Sequence, residues 1–406
     1  MLKQLLPERQ NLDGGDIIFT LNSAAQKRAA AGESVINATV GALLDDNGKL
    51  VVLLSVMEQY ALLTPPEIAP YAPIAGDAAY LLALTQRQWP SLSSYGVGVA
   101  TPGGTGALSL SLRNMLEHGD TLVTAAPFWG PYSTLALENQ VTLATVPYPA
   151  TGAALDITTW QSTCEAVIRK QKRLLIWLND PCHNPTGRSL SASDRAALKD
   201  MLREMSKLGA VTLLLDLAYL DYTREPLEVR AALDDYATFA AEGSVLVAAA
   251  LSLSKAFTIY GARAGALVFP WTTDTALQSA LSSSCRGTFS NCARAPMSVL
   301  LRITRDADGA KKLAAEHAHW NRVLVTRAEA LDAALKAEGL PGAPWQGGFF
   351  ITIETANPYD VCTRLQAEGV FVVPMPEGLR VGICSLRAQD APRFAAAVRK
   401  CLANAL

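Results

Sequence analysis

The chain has 406 residues, half of them hydrophobic (50%) and 18% charged, with 35 Lys+Arg against 37 Asp+Glu and a net charge of −2. That length suits two domains of roughly 100–200 residues, and the composition excludes global disorder while leaving material for a large core. It also excludes the basic excess that holding nucleic acid or an anionic membrane needs.

The seven cysteines (Cys164, Cys182, Cys285, Cys292, Cys362, Cys384 and Cys401) are odd in number and form no CxxC pair. That argues against a disulfide framework and a zinc knuckle, and fits reduced thiols in a cytoplasm. Met1 to Asp16 carries Glu8, Arg9 and Asp13 where a signal peptide needs its apolar stretch. The longest apolar run, 245–251, is of strand length, far short of the roughly 20 residues of a membrane span. A soluble, cytoplasmic enzyme is expected.

In chain order, apolar runs at 122–125, 141–146, 174–178, 211–215, 245–251 and 264–269 predict buried strands. Amphipathic stretches at 105–116, 160–170 and 193–208 predict helices, with Gly119 and Gly209 stopping the first and last. Ser191 and Asp194 have the spacing of a capping box before the third. Strands apolar on both faces and separated by helices predict an α/β fold with a mostly parallel sheet, seven-stranded in type, covered on each side. Ligands of such sheets bind beyond the carboxyl ends of the strands.

After Phe269 come two helical stretches and a long charged one from about Lys311 to Glu338. A smaller alternation follows: 349–354, a helix near 359–368, 370–373, 379–384 and a final helix to Leu406. This predicts a small α+β domain. The first fifty residues are expected to join it, because 35–42 has no obvious partner nearby. The expected division is a large domain over 51–309, inserted between residues 1–50 and 310–406 of the small one.

Four segments carry candidate chemistry. Thr101-Pro102-Gly103-Gly104-Thr105-Gly106 opens a helix, where free N–H groups and the helix dipole suit a phosphate, although a tight turn reads the same way. It is neither a Walker A loop nor a GxGxxG loop. Asn179-Asp180-Pro181-Cys182-His183-Asn184-Pro185-Thr186-Gly187 follows a strand and can aim Asn184 into a cleft, or be a polar turn. Asp216 ends a strand and is followed by Tyr219; a carboxylate there needs a partner, or it caps a helix. Lys255 follows Ser252-Leu253-Ser254 at the mouth of a buried strand, with Arg263 beyond; it is a desolvated amine nucleophile or a snorkelling lysine. Taken together, a phosphate cradle, an amide, a carboxylate, a lysine and an arginine in that order match the needs of pyridoxal phosphate chemistry. There a lysine forms the Schiff base and a carboxylate keeps the pyridine nitrogen protonated.

The segments Pro181–Gly187, Asp216-Leu217-Ala218-Tyr219 and Ser252–Arg263 resemble the signatures of fold-type I, class I aminotransferases, the aspartate/aromatic aminotransferase family. Similarity extends to Ile36-Asn37, Val40-Gly41, Asp45–Lys49, Tyr71–Gly76, Pro127-Phe128-Trp129, Arg286–Asn291 and Leu379–Gly382. The resemblance implies an aminotransferase that exchanges an amino group between an amino acid and a 2-oxo acid, with aspartate/glutamate or aromatic substrates. It implies that Lys255 binds pyridoxal 5'-phosphate and moves the proton, that Asp216 pairs with the ring nitrogen, and that Asn184 and Tyr219 bond the ring hydroxyl. Trp129 would stack on the ring. Gly103, Gly104, Thr105, Ser252, Arg263 and a partner chain's Tyr71 would hold the phosphate. Arg380 would take the substrate α-carboxylate with Gly41, Asn184 and Trp129, and Arg286 of a partner chain the distal carboxylate. A homodimer is therefore implied.

Departures from the family pattern fall on the substrate side. Ala262 stands where an acidic residue usually precedes the arginine, Ala38-Thr39 replaces Leu-Gly, and Cys292-Ala293 replaces two prolines. A pyridoxal-dependent β-lyase on the same scaffold is the alternative chemistry. A pyridoxal-sensing regulator is the alternative of another class, and it would be expected to need a DNA-binding domain for which the residues before Val35 and the charge leave no room.

Overall fold

Every apolar run singled out above becomes a strand, and the strands assemble by which of their faces can be buried. A computed structural model describes residues 17–149 and 152–403. The expectations for residues 1–16 and for the end of the last helix at 404–406 lie outside them. The strands are β1 (Ile36–Asn37), β2 (Val97–Thr101), β3 (Thr121–Ala126), β4 (Thr142–Pro147), β5 (Arg173–Leu178) and β6 (Ala210–Asp216). They continue with β7 (Leu246–Ser252), β8 (Gly265–Phe269), β9 (Phe350–Glu354), β10 (Val370–Phe371), β11 (Val373–Met375) and β12 (Gly378–Gly382).

Seven strands form one sheet in the order β2-β8-β7-β6-β5-β3-β4, parallel throughout except that β8 runs against both neighbours. Successive side chains alternate between two cores: Leu174, Ile176 and Leu178 of β5 enter one, Leu175 and Trp177 the other. Helices Ile157–Gln171, Ala192–Ser206 and Pro226–Ala241 supply buried residues to the first core. Helices Gly103–Met115, Pro131–Glu138 and Thr275–Thr288 supply the second. Burial on both faces is why β3, β5, β6, β7 and β8 read as continuous apolar runs. The run 141–146, expected to be buried, instead forms the edge strand β4, in which only Val146 is buried because no strand covers its outer side. The predicted capping box is formed: Ser191 Oγ accepts from Asp194 N at 3.1 Å, and Asp194 Oδ2 accepts from Ser191 N at 3.2 Å.

β2 has no counterpart among the predicted strands. It is five residues long, with Gly98 in the middle and few large apolar side chains, so its pairing with β8 defines it more than its own composition does. Its register puts Thr101 opposite Gly265, which also faces Ser252, while Asp216 faces Ala250. The ends of β2, β6 and β7 thus share one edge.

A second sheet has the antiparallel order β11-β12-β9. β1 pairs in parallel with β10, Ile36 opposite Val370, and Ala38 N donates to Phe371 O at 2.9 Å. Residues 35–42 therefore find their partner more than three hundred positions away. The predicted run 370–373 is divided at Val372 between β10 and β11. Among the described residues no helix is long and apolar enough to cross a membrane.

Candidate active site

The shared edge of the large sheet opens on a cavity of about 230 Å³. Gly104 and Thr105 line it from the helix after β2, Trp129 and Asn184 from the loops after β3 and β5, and Asp216 and Tyr219 from the end of β6 and just beyond it. Ser252, Lys255 and Arg263 line it from the segment between β7 and β8, and Gly41 and Arg380 from the opposite side.

Asp216 is the last residue of β6 and is 6% exposed. Tyr132 donates its hydroxyl to Asp216 Oδ2 at 2.7 Å. Burial pushes the carboxyl up to about 6, against the opposing pull of the Tyr132 hydrogen bond and the Lys255 charge. Asn179 braces the same strand end: its Nδ2 donates to the Asp216 carbonyl at 2.7 Å, and its Oδ1 accepts from Asn184 N at 2.5 Å.

Lys255 sits in the single-turn helix Leu253–Ala256, whose start is held by Ser252 Oγ accepting from Ser254 N at 3.1 Å. Burial, and next the Arg263 charge, bring its amine down to about 8. Its Nζ lies 5.8 Å from the Tyr219 ring centre and 5.2 Å from that of Tyr260. A neutral amine is thus accessible near neutral pH, as nucleophilic and proton-transfer chemistry requires.

The helix Gly103–Met115 starts without a side-chain cap, so its first N–H groups are not satisfied by the chain's own side chains. Arg263, in the left-handed region at φ 50°, donates from Nη1 to Tyr260 O at 3.0 Å and to Ser254 Oγ at 3.3 Å, and from Nη2 to Pro102 O at 3.2 Å. The fit depends on Gly103, which has φ 74° and where a Cβ would lie 2.7 Å from Arg263 Nη2. Amides and a guanidinium converging on one spot make an anion cradle.

Arg380, on β12 and 4% exposed, stacks its guanidinium 4.3 Å from the Phe350 ring centre and donates from Nη2 to Thr39 O at 2.8 Å. Gly41 allows that ring its place, since a Cβ there would lie 2.7 Å from Phe350 Cζ. Trp129 meets Tyr132 edge-on, with ring centres 5.9 Å apart.

Three predicted residues are not in the cavity lining. Gly103 stands beside it, under Arg263. Tyr71 is 88% exposed. Arg286, in the last turn of helix Thr275–Thr288, is exposed and donates from Nη1 to Ser290 Oγ at 2.7 Å. Conversely, Asn179, Tyr132 and Phe350 had no expected role. Asn179 opens the loop after β5, where the sequence alone assigns it no role. Tyr132 had a weak signal, its i,i+3 spacing from Trp129.

The donor set fits pyridoxal phosphate, the cofactor that class I aminotransferases use. Asn184 Nδ2 donates to the Tyr219 hydroxyl at 3.2 Å, while its Oδ1 is buried without a partner. Turning the amide over exchanges the two ends, and in either orientation one polar atom is left for a ligand. A buried carboxylate, an amine of lowered pKa and an anion cradle around one cavity supply the remaining contacts.

Residues 33–398 match the family model described as aminotransferase class I and II. The chain is 30% identical over 270 residues to the aromatic-amino-acid aminotransferase of Pseudomonas aeruginosa, covering 63% of this chain and 62% of that one. It is 29% identical over 261 residues to the aspartate aminotransferase of the same organism, covering 62% of each. The matched part thus spans less than two thirds of these relatives' length. An aminotransferase structure from Anaerococcus prevotii superposes with a TM-score of 0.90 at 28% identity, covering 98% of this chain and 99% of that one. The cytoplasmic aspartate aminotransferase of Saccharomyces cerevisiae shares the fold, with a TM-score of 0.81 at 20% identity over 99% and 98% of the two chains. The chain belongs to the class I and II aminotransferase family, with the fold-type I architecture of its aspartate/aromatic branch.

Proposed function

We propose that the chain is a pyridoxal-phosphate-dependent aminotransferase that moves an amino group between an amino acid and a 2-oxo acid, with aspartate/glutamate or aromatic amino acids as its substrates. The observation that carries this reading is the meeting of the Asp216 carboxylate, the Lys255 amine and the uncapped Gly103–Met115 helix around one cavity. Bound pyridoxal phosphate supplies an aldehyde at which amino groups are exchanged and a ring that takes up the electron pair left at the substrate α-carbon. Asp216 holds a proton at the ring nitrogen. Asn184 and Tyr219 bond the ring hydroxyl, Trp129 covers the ring face, and Gly103, Gly104, Thr105, Ser252 and Arg263 hold the phosphate. Arg380 takes the substrate α-carboxylate as a fork, already aligned by Phe350 and the Thr39 carbonyl. Lys255 then moves the proton from the α-carbon to C4′ of the cofactor.

The chain acts as a homodimer in this reading, with Tyr71 and Arg286 serving the cavity of the partner. Exposed apolar side chains at Leu50, Leu54, Met57, Leu62, Ile68 and Tyr71 support a second copy covering that stretch. The large unit spans 51–309 and the small one 1–50 with 310–406, supported by the pairing of β1 with β10. Borohydride reduction with pyridoxal phosphate, followed by peptide mapping, should label Lys255. A stopped-flow screen of amino acids should then show which ones discharge the cofactor absorbance, and a label elsewhere overturns the reading.

A further inference from the structure

Tyr132 is on the helix Pro131–Glu138, 1% exposed, and its ring is held on three sides. Trp177 meets it edge-on at 4.8 Å, Phe128 stacks at 6.1 Å and 8°, and Trp129 abuts it at 5.9 Å and 82°. Trp177 is itself fixed, with Nε1 donating to Ser111 Oγ at 3.0 Å. The hydroxyl of this clamped ring ends 2.7 Å from Asp216 Oδ2.

We propose that Tyr132 is a positioning residue: its O–H keeps the Asp216 carboxylate ionised and aimed at the ring-nitrogen end of the cavity, while its ring props Trp129. The proposal rests on the aminotransferase reading above. One rigid side chain then sets two contacts with the cofactor ring, one at its edge and one at its face. Trp177 and Phe128 prevent the phenol from following the carboxylate if it turns, so the carboxylate must stay where the phenol is. Burial and the neighbouring Asp216 charge keep the phenol protonated far above its ordinary range, so it remains a donor at any working pH. The other groups facing the carboxylate are Lys255 from the turn after β7, the Ala218 N–H, and the Tyr219 ring after β6. Of these, Lys255 becomes engaged with cofactor and substrate in turn, and the Tyr219 hydroxyl, which accepts from Asn184 Nδ2, is assigned above to the ring hydroxyl. Tyr132 is the side-chain donor to Asp216 that the reaction leaves in place.

The test uses the full chain with pyridoxal phosphate as probe, comparing wild type, Tyr132→Phe, Asp216→Asn and the double variant. Tyr132→Phe keeps the ring and its packing and removes only the donor. Its melting temperature should stay within a few degrees of wild type. The acid limb of pyridoxal phosphate binding, read by equilibrium titration against pH, should move up by about one pH unit, the scale of a hydrogen bond to a charged group. With the best amino acid found, kcat should fall about 10-fold while KM changes less than about 2-fold. In the Asp216→Asn background the same change should have no further effect, as expected for coupled neighbours. Should Tyr132→Phe fold poorly, Tyr132→His, which keeps a ring donor, should restore the acid limb towards the wild-type position. An unmoved acid limb, or an equal loss in the Asp216→Asn background, overturns the proposal and leaves the functional reading standing. Failure of wild type to bind pyridoxal phosphate at all overturns both.

Discussion

Asn184 Nδ2 lies 3.2 Å from the Tyr219 hydroxyl, and the Oδ1 of the same amide is buried with no partner. One half of the group is satisfied and the other is not, and a buried orphan acceptor costs roughly 1–3 kcal/mol. Such a cost persists where a ligand removes it. Asn184→Ala loses both the bond and the orphan, so the stability of the cofactor-free chain should change by less than about 1 kcal/mol. Its pyridoxal phosphate affinity should drop by roughly tenfold. Denaturant melts paired with a cofactor titration check this; a large loss of stability with unchanged affinity would make Asn184 a purely structural residue.

Asp216 is held at a cost that depends on pH. Its carboxyl titrates near 6 in the folded, cofactor-free chain and near 3.8 as a free side chain, burial being the main cause. The unfolded chain therefore loses this proton first as pH rises. The folded state is penalised progressively between about pH 4 and 6, and fully above that, by about 3 kcal/mol. Asp216→Asn should make the cofactor-free chain more stable than wild type at pH 7.5 and bring no such gain at pH 3.5. The same variant should bind cofactor yet transaminate far more slowly, because the ring nitrogen loses the anion that keeps its proton. Melts at the two pH values with pyridoxal phosphate removed are the check, and equal stability gains at both would contradict the linkage.

For Lys255 the sign is opposite in origin. Burial, with the Arg263 charge behind it, favours the neutral amine and brings its pKa from 10.5 to about 8. The rate at which cofactor-free protein captures pyridoxal phosphate should therefore rise as pH passes through about 8, and level off above it. A surface lysine would keep accelerating to about pH 10. Stopped-flow capture across this range gives the midpoint. Lys255→Ala should abolish the slow borohydride-stable labelling and the turnover while leaving the melt cooperative.

Much of this site could be read before any coordinates, because its parts fall at the ends of strands that are apolar on both faces. Asp216 and Lys255 each follow such a run, and Ser191 with Asp194 announced its helix start by spacing alone. What stayed hidden depends on distance in sequence. Residues 35–42 needed β10 to become a strand, and β2, interrupted by Gly98, needed β8. For Tyr132 the i,i+3 spacing from Trp129 suggests a shared helix face, but not that its hydroxyl meets Asp216 on the other side of a sheet strand. Asn179 likewise reads as a turn residue until Asp216 and Asn184 are brought to either end of its amide. Tyr71 and Arg286 carry family signatures, yet neither lines the cavity of its own chain.

Arg380 and Arg286 lead to different expectations about substrate choice. Arg380 is buried, stacked on Phe350 at 4.3 Å and tied to the Thr39 carbonyl at 2.8 Å, so its fork is aligned before any substrate arrives. Every α-amino acid offers it the same carboxylate. Arg380→Ala should therefore weaken all substrates alike, by roughly 2–5 kcal/mol in kcat/KM for truncating one member of a buried charge pair. Arg286 is exposed, and its guanidinium is engaged within its own chain by Ser290 Oγ at 2.7 Å, at a residue with φ 68°. Across a dimer interface it would meet only a second, distal carboxylate, and an aromatic side chain would give it nothing to pair with. Arg286→Ala should thus lower kcat/KM for aspartate and glutamate by a similar 2–5 kcal/mol, a figure that is roughly the scale of a desolvated pair, and leave phenylalanine nearly unchanged. Kinetics with glutamate and phenylalanine on the same preparation decide the matter. An equal loss for both would mean that Arg286 serves the Ser290 turn, and that the dicarboxylate specificity assigned to it is wrong.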